Sequence, residues 1–187
     1  MTILVPGTDW KRHGGWGREN ALFAYAEALG VPVVFFEWLG GNTDAARMEA
    51  AERLRALIAE HEFAPDEPLN VIAHSHGGNV VLAASHLGLV RPIDLLITLN
   101  KPLRRARIYK PGANIRTFYN LSAKRDWMQW FGSDARLGPA RDKRAINYAF
   151  DTSKSRIKPH AALIWDDAFC EMWQEWMEKQ RNTASGF

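Results

Sequence analysis

Residues 69–81 read LNVIAHSHGGNVV, and this stretch decides the fold. Residues 69–74 form a short apolar run with β-branched members, the pattern of a buried strand. Residues 77–87 then follow helical spacing, so the chain passes from strand to helix almost at once. A turn that sharp brings the entering and leaving backbones together, and only small side chains two before and two after its apex let them pass. Ala73 and Gly77 meet that requirement around Ser75, and Gly78 lets the helix begin close to the strand.

Working outward, Thr2–Val5 (TILV), 31–38 (VPVVFFEW), Ile93–Leu99 (IDLLITL) and 115–121 (IRTFYNL) predict further strands, with 145–150 (AINYAF) a weaker sixth. Between them lie segments of helical period. Residues 17–30 place Leu22, Phe23, Ala26 and Leu29 on one face, and Gly30 closes the helix. Residues 43–61 carry Ala46, Ala50, Leu54, Leu57 and Ile58 as a buried stripe behind an N-cap at Asn42 or Thr43. A single last helix over 161–181 repeats Trp165, Phe169, Met172, Trp173 and Trp176 as a core face. This alternation predicts an α/β fold: a doubly wound, mainly parallel sheet of about six strands with helices on both faces, in one domain over 1–187.

Of the 187 residues, 47% are apolar or aromatic, enough for one buried core. Twenty-four basic against 21 acidic residues leave a formal charge of +3, too small an excess to point to nucleic acid. The single cysteine, Cys170, has no internal disulfide partner, which suits a reducing compartment. The opening MTILVPGTDW has no basic residues before its apolar run, and that run is too short for a signal core or a membrane span. The expectation is a cytoplasmic protein without a membrane span.

A serine on a strained strand-to-helix turn is the arrangement that exposes a nucleophile, although small-x-Ser-x-Gly arises by chance about once per thousand positions. The plainer alternative is that Ser75 only caps the helix. A serine hydroxyl attacks only when a base takes its proton, so a histidine must reach it. His74 and His76 flank Ser75 and point away from it along an extended turn; His86 lies behind the turn, His61 ends a surface helix, and His13 sits in an early glycine-rich loop. His160 remains, in Lys158-Pro159-His160 ahead of the last helix, where a doubly wound sheet brings it to the same carboxyl edge. The carboxylate that orients the base should follow a strand and precede His160. Asp126 in SAKRDW fits best, and Asp134 and Asp151 are alternatives. Backbone N–H groups for an oxyanion are expected at His76 and at Thr8 in the Pro6-Gly7-Thr8-Asp9 turn.

With these segments in order, the chain resembles the α/β-hydrolase superfamily, in particular its small lipase-like and esterase-like members. The likeness rests on ILVPGT, VIAHSHGGNVV, LLITLNKP, TFYNLSAKRDW and KPHAALIW, and on the order Ser75, Asp126, His160. Ala73 stands where the family usually has its first glycine. The chain opens at what looks like the family's third strand, and the connection between IDLLITL and IRTFYNL is too short for the lid often inserted there, so an open site is implied. The resemblance implies serine hydrolysis of a carboxylic ester through an acyl-enzyme, with no metal or organic cofactor. An acyltransferase, an amide hydrolase or a non-catalytic binding protein on the same fold are alternatives.

Two weaker signals concern the substrate, expected to be a small-molecule or lipid ester. Trp10, Trp16, Trp127, Trp130 and Phe131 flank the proposed site in sequence, as an acyl pocket, as a contact with a lipid interface or as core. Lys101 to Lys110 (KPLRRARIYK) carries five basic residues and no acid, which reads as a solvated loop or as an attraction for anionic groups. His74-x-His76 lacks nearby acidic or thiol partners for a metal site.

Overall fold

In the computed structural model, residues 1–8, 21–128 and 143–184 are described, residues 181–184 in backbone only. Along the chain run β1 (Thr2–Val5), α1 (Ala21–Ala28), β2 (Val33–Phe35), α2 (Asp44–Glu60), β3 (Asn70–His74), α3 (His76–Ala84), β4 (Ile93–Leu99), a 3₁₀ turn (Arg107–Tyr109), β5 (Ile115–Ala123), β6 (Ile146–Phe150), α4 (Pro159–Trp165) and α5 (Asp167–Ala184). The strands form one parallel sheet in the order β2-β1-β3-β4-β5-β6. From β1 the chain winds outward to β2, then returns past β1 to β3 and continues the other way. The neighbours β1 and β3 therefore flank the switch point, whose carboxyl end opens a crevice.

Both faces of the inner strands are buried while edge strand β6 is largely exposed, and the strand period of two divides the inner residues between two cores. Ile3, Val5, Val71, Ala73 and Leu96 pack with α2 and α3, through Ala50, Leu54, Ile58, Val80 and Val81. Leu4, Ile72, Ile97, Leu99 and Leu121 face the other way, onto Leu22 and Ala26 of α1, Leu163 of α4, and Trp173 and Met177 of α5. Among the described residues no helix is long and apolar enough to cross a membrane.

Beyond shifts of a few residues at element ends, such as the third helix stopping at Ala84 and β5 running to Ala123, three elements differ from the sequence expectation. The second strand is only Val33–Phe35, because the chain turns over the end of β1 and Trp38 donates its indole N–H to the Pro6 carbonyl at 2.9 Å. The buried stripe of α2 includes Arg47 and Ala51, with Thr43 as the cap: its Oγ1 accepts the Ala46 N–H at 3.1 Å. The single last helix is two helices broken at Asp166, whose backbone is extended (φ −106°, ψ 106°) and whose Oδ2 accepts the Ser155 hydroxyl at 2.6 Å. Its first half begins at Pro159, whose ring suits a first helical turn. Carbonyls freed at the end of α4 are taken up by α5: Leu163 accepts from the Trp173 indole N–H at 2.9 Å and Ile164 from the Cys170 thiol at 3.2 Å.

Candidate active site

Ser75 sits between β3 and α3 with φ 50° and ψ −130°, a region that L-residues other than glycine rarely occupy. Holding it there costs about 1–3 kcal/mol, so the surroundings must impose it. They do so by close approach. A Cβ on Gly77 would lie 2.4 Å from the Pro6 carbonyl oxygen and 2.5 Å from that of Val5, and one on Gly7 would lie 2.8 Å from Ser75 Cβ. The Pro6-Gly7 turn after β1 thus lies directly across the turn after β3. The backbone is further fixed by the Ser75 N–H on the Leu99 carbonyl, 2.9 Å, and the Gly78 N–H on the Ser75 carbonyl, 3.0 Å. At Gly78 the missing side chain makes room for the Lys101 stem and for Thr98 of β4.

Although Ser75 occupies the N-cap position of α3, its side chain makes no capping hydrogen bond. Its hydroxyl instead donates to His160 Nε2 at 3.0 Å, across 85 residues of chain. His160 lies in the first turn of α4, and its Nδ1–H donates to Asp126 Oδ2 at 2.8 Å. Asp126 follows β5, is only 2% exposed, and holds its own loop by accepting the Met128 N–H on Oδ1 at 3.1 Å. Asp151, an alternative acid in the sequence, is exposed and turned onto its own loop, with Oδ1 accepting the Ser153 N–H at 3.0 Å. That bond and the nearby Lys124 and Arg125 charges hold its carboxyl below the ordinary range. Asp134, His13, Trp10, Trp16, Trp130 and Phe131 lie outside the described residues.

The two histidines beside Ser75 have separate partners. His74 directs Nε2 to the carbonyl of His160 at 2.9 Å. His76 is buried against Asn79, whose Nδ2 donates both to the Pro102 carbonyl and to His76 Nδ1, each at 3.2 Å. Because the Pro102 carbonyl can only accept, the Asn79 amide nitrogen must face it, and His76 must then carry its proton on Nε2. Burial, and after it the Arg47 and Arg104 guanidinium groups, push the His76 pKa down to about 3, so the ring is neutral near pH 7.

Sequence reasoning missed two of these polar residues. Arg47, 1% exposed, stands in the apolar stripe of α2 because its guanidinium reaches Asp44, Asn42 Oδ1 at 3.1 Å and the Tyr109 hydroxyl at 3.3 Å. Asn100, directly after β4, is fully buried with φ 54° and reaches both Ala123, the last residue of β5, and the first turn of α4. Only its position directly after an apolar strand, as a residue that tolerates left-handed backbone, could have drawn attention to it. The basic segment 101–110 is not uniformly solvated: Lys101 is buried, Arg105 and Arg107 are exposed, and Lys110 Nζ donates to the Arg104 carbonyl at 3.1 Å.

A hydroxyl bonded to an imidazole, whose other nitrogen donates to a buried carboxylate, can lose its proton as it attacks a carbonyl carbon. No family model matches this chain, and no curated protein matches it. Among solved structures, a protein of Pectobacterium atrosepticum described provisionally as a YdeN-like hydrolase is similar at a TM-score of 0.46 and 11% identity, over 80% of this chain and 76% of that one. A likeness that distant carries no residue roles to this chain.

Proposed function

We propose that the chain is a serine hydrolase that cleaves carboxylic esters, with Ser75 as nucleophile, His160 as general base and Asp126 as the acid that orients the base. The observation that carries this proposal is the continuous hydrogen-bonded line from Ser75 Oγ through His160 to Asp126, at 3.0 and 2.8 Å, at a switch point of the sheet. A cap or a packing residue has no need of a strained backbone, and Ser75 holds one while its hydroxyl leaves the helix end uncapped.

In the first step Ser75 Oγ bonds to the ester carbonyl carbon while its proton passes to His160 Nε2. The resulting oxyanion takes the backbone N–H groups of His76 and Thr8. Collapse of the tetrahedral intermediate breaks the ester C–O bond, and the leaving alkoxide takes the proton from His160. Water then gives a proton to His160 as its oxygen bonds to the acyl carbon, and when the acyl C–Oγ bond breaks His160 passes that proton to Ser75 Oγ as the acid leaves. Asp126 keeps the proton of the neutral ring on Nδ1 and stabilises the imidazolium formed in each half. These steps use the chain's own side chains and require no metal or organic cofactor.

Hydrolysis of a chain-length series of aryl acetate, butyrate and longer esters tests this. Saturable turnover should fall by several orders of magnitude in Ser75→Ala, roughly 10⁶-fold in kcat if the triad acts as a unit. Equal turnover by folded wild type and Ser75→Ala would contradict it. Added alcohols or amines as competing acceptors would show whether water or another nucleophile resolves the acyl-enzyme.

A further inference from the structure

The carbonyl of His160 receives two side-chain donors from different strands. His74, the last residue of β3, brings Nε2 to 2.9 Å, and Asn100, just past β4, brings Nδ2 to 2.9 Å. The same Asn100 amide nitrogen reaches the Pro159 carbonyl at 3.2 Å, while its Oδ1 accepts the Ala123 N–H at 2.6 Å. The amide orientation is therefore fixed, since a flip would set oxygen against two carbonyls and nitrogen against an N–H. A carbonyl acceptor also requires His74 to carry a proton on Nε2. The His74 and His160 rings are 4.8 Å apart, so this tie runs beside the proposed base.

These bonds join the three chain segments that carry the proposed triad. β3 leads into Ser75, Ala123 ends the strand that leads to Asp126, and Pro159-His160 opens α4. Asn100 also donates its own backbone N–H to the Leu121 carbonyl at 2.8 Å. The left-handed backbone at Asn100 is the device that turns its amide into the gap between the β5 end and α4.

We propose that His74 and Asn100 are positioning residues, which act through the backbone of His160 to set its ring against Ser75 and Asp126. This rests on the triad proposed above. Neither residue is assigned a role in proton transfer. Their effect falls on geometry, where a displacement of about 1 Å can cost roughly 10²-fold in rate.

The experiment compares His74→Leu, His74→Gln and Asn100→Ala by ester kinetics and by the downfield proton resonance of the His160–Asp126 hydrogen bond, recorded in a Ser75→Ala background. Loss of the donor in His74→Leu and Asn100→Ala should lower kcat by about 10–100-fold, with KM within about twofold, and should shift or broaden the resonance. His74→Gln, which restores an amide N–H near the Nε2 position, should recover most of kcat and the wild-type resonance. Wild-type kcat and an unmoved resonance in both donorless variants would overturn the proposal, as would a kcat in His74→Gln as low as in His74→Leu. Should Asn100→Ala fail to fold, the His74 pair decides alone. Absence of Ser75-dependent turnover in the parent would refute the hydrolase reading only, and the resonance would then judge the positioning role by the same criteria.

Discussion

The loops that leave β5 and β6 can be set side by side. Each emerges at the carboxyl edge of the sheet, and each turns on an aspartate whose Oδ1 accepts the N–H two residues later: Met128 for Asp126 at 3.1 Å, Ser153 for Asp151 at 3.0 Å. This short-range bond is common to both, although the chain goes into helical residues after Asp126 and into a turn at Ser153 after Asp151. They differ in the second oxygen. That of Asp126 is covered and holds His160, while Asp151 is exposed among charged neighbours. The same side chain with the same short-range bond is thus given different work by its surroundings, and residue types elsewhere in the chain repeat the contrast.

The largest expected effect breaks the comparison at its source. Asp126→Asn should lower kcat by about 10⁴-fold with little change in stability, since an asparagine favours the wrong tautomer of His160. Asp151→Asn should stay within about twofold, as expected of an exposed group away from the reacting atoms. Steady-state ester kinetics with urea denaturation on both variants checks this, and equal losses would erase the distinction between the two loops.

Two glycines give the next contrast. Gly77→Ala forces a Cβ against two backbone oxygens that cannot move separately and should destabilise by about 3 kcal/mol, the upper end for overpacking. Gly30, at φ 77° with nothing within 4 Å of its would-be Cβ, should lose only about 1 kcal/mol on substitution by alanine, the cost of left-handed backbone. Chemical denaturation midpoints with a common m value would separate them.

The histidine after Ser75 adds a pH dependence. The folded state keeps His76 neutral down to a pKa of about 3, whereas the unfolded chain protonates it near 6.5. Below pH 6.5 the unfolded state therefore binds the extra proton, and stability falls as pH falls, by about 1.4 kcal/mol per unit for this group. Between pH 7 and 5 the wild type should lose about 2 kcal/mol more than His76→Gln, which has no such proton to exclude. Parallel pH profiles of the urea midpoint would contradict that burial.

The smallest effect concerns two hydroxyls at helix starts. Thr43 caps α2, so Thr43→Ala should cost about 1 kcal/mol in thermal or urea unfolding. Ser75 stands at the same position of α3 without a capping bond, so Ser75→Ala should lose activity with no comparable capping loss.

The succession of strands and helices along the chain and the strand-to-helix turn were legible in the sequence because both depend on local patterns. Short apolar runs with β-branched members separate TILV, LNVIAH and IDLLITL from the segments of helical spacing between them, and a Ser between small residues at a strand end is the mark of a sharp strand-to-helix turn. The break at Asp166 was not legible: the aromatic stripe continues through it, and what ends α4 is a side-chain bond from Ser155 and the capture of its last carbonyls by Trp173 and Cys170. Arg47 was hidden for a related reason. A buried guanidinium is tolerable only with partners, and Tyr109 arrives from 62 residues away. The sequence ranked Asp126 ahead of Asp151 but left both open, since which of the two meets His160 depends on the placement of α4.

The central claim is that Ser75 is an activated nucleophile. Treatment of the folded protein with a fluorophosphonate, followed by mass spectrometry of the intact chain and its peptides, measures this directly. One phosphonyl adduct should appear, on the peptide that carries Ser75; it should be absent in Ser75→Ala and strongly slowed in Asp126→Asn. A folded wild-type protein that stays unlabelled, or that is labelled equally after Ser75→Ala, would contradict the account.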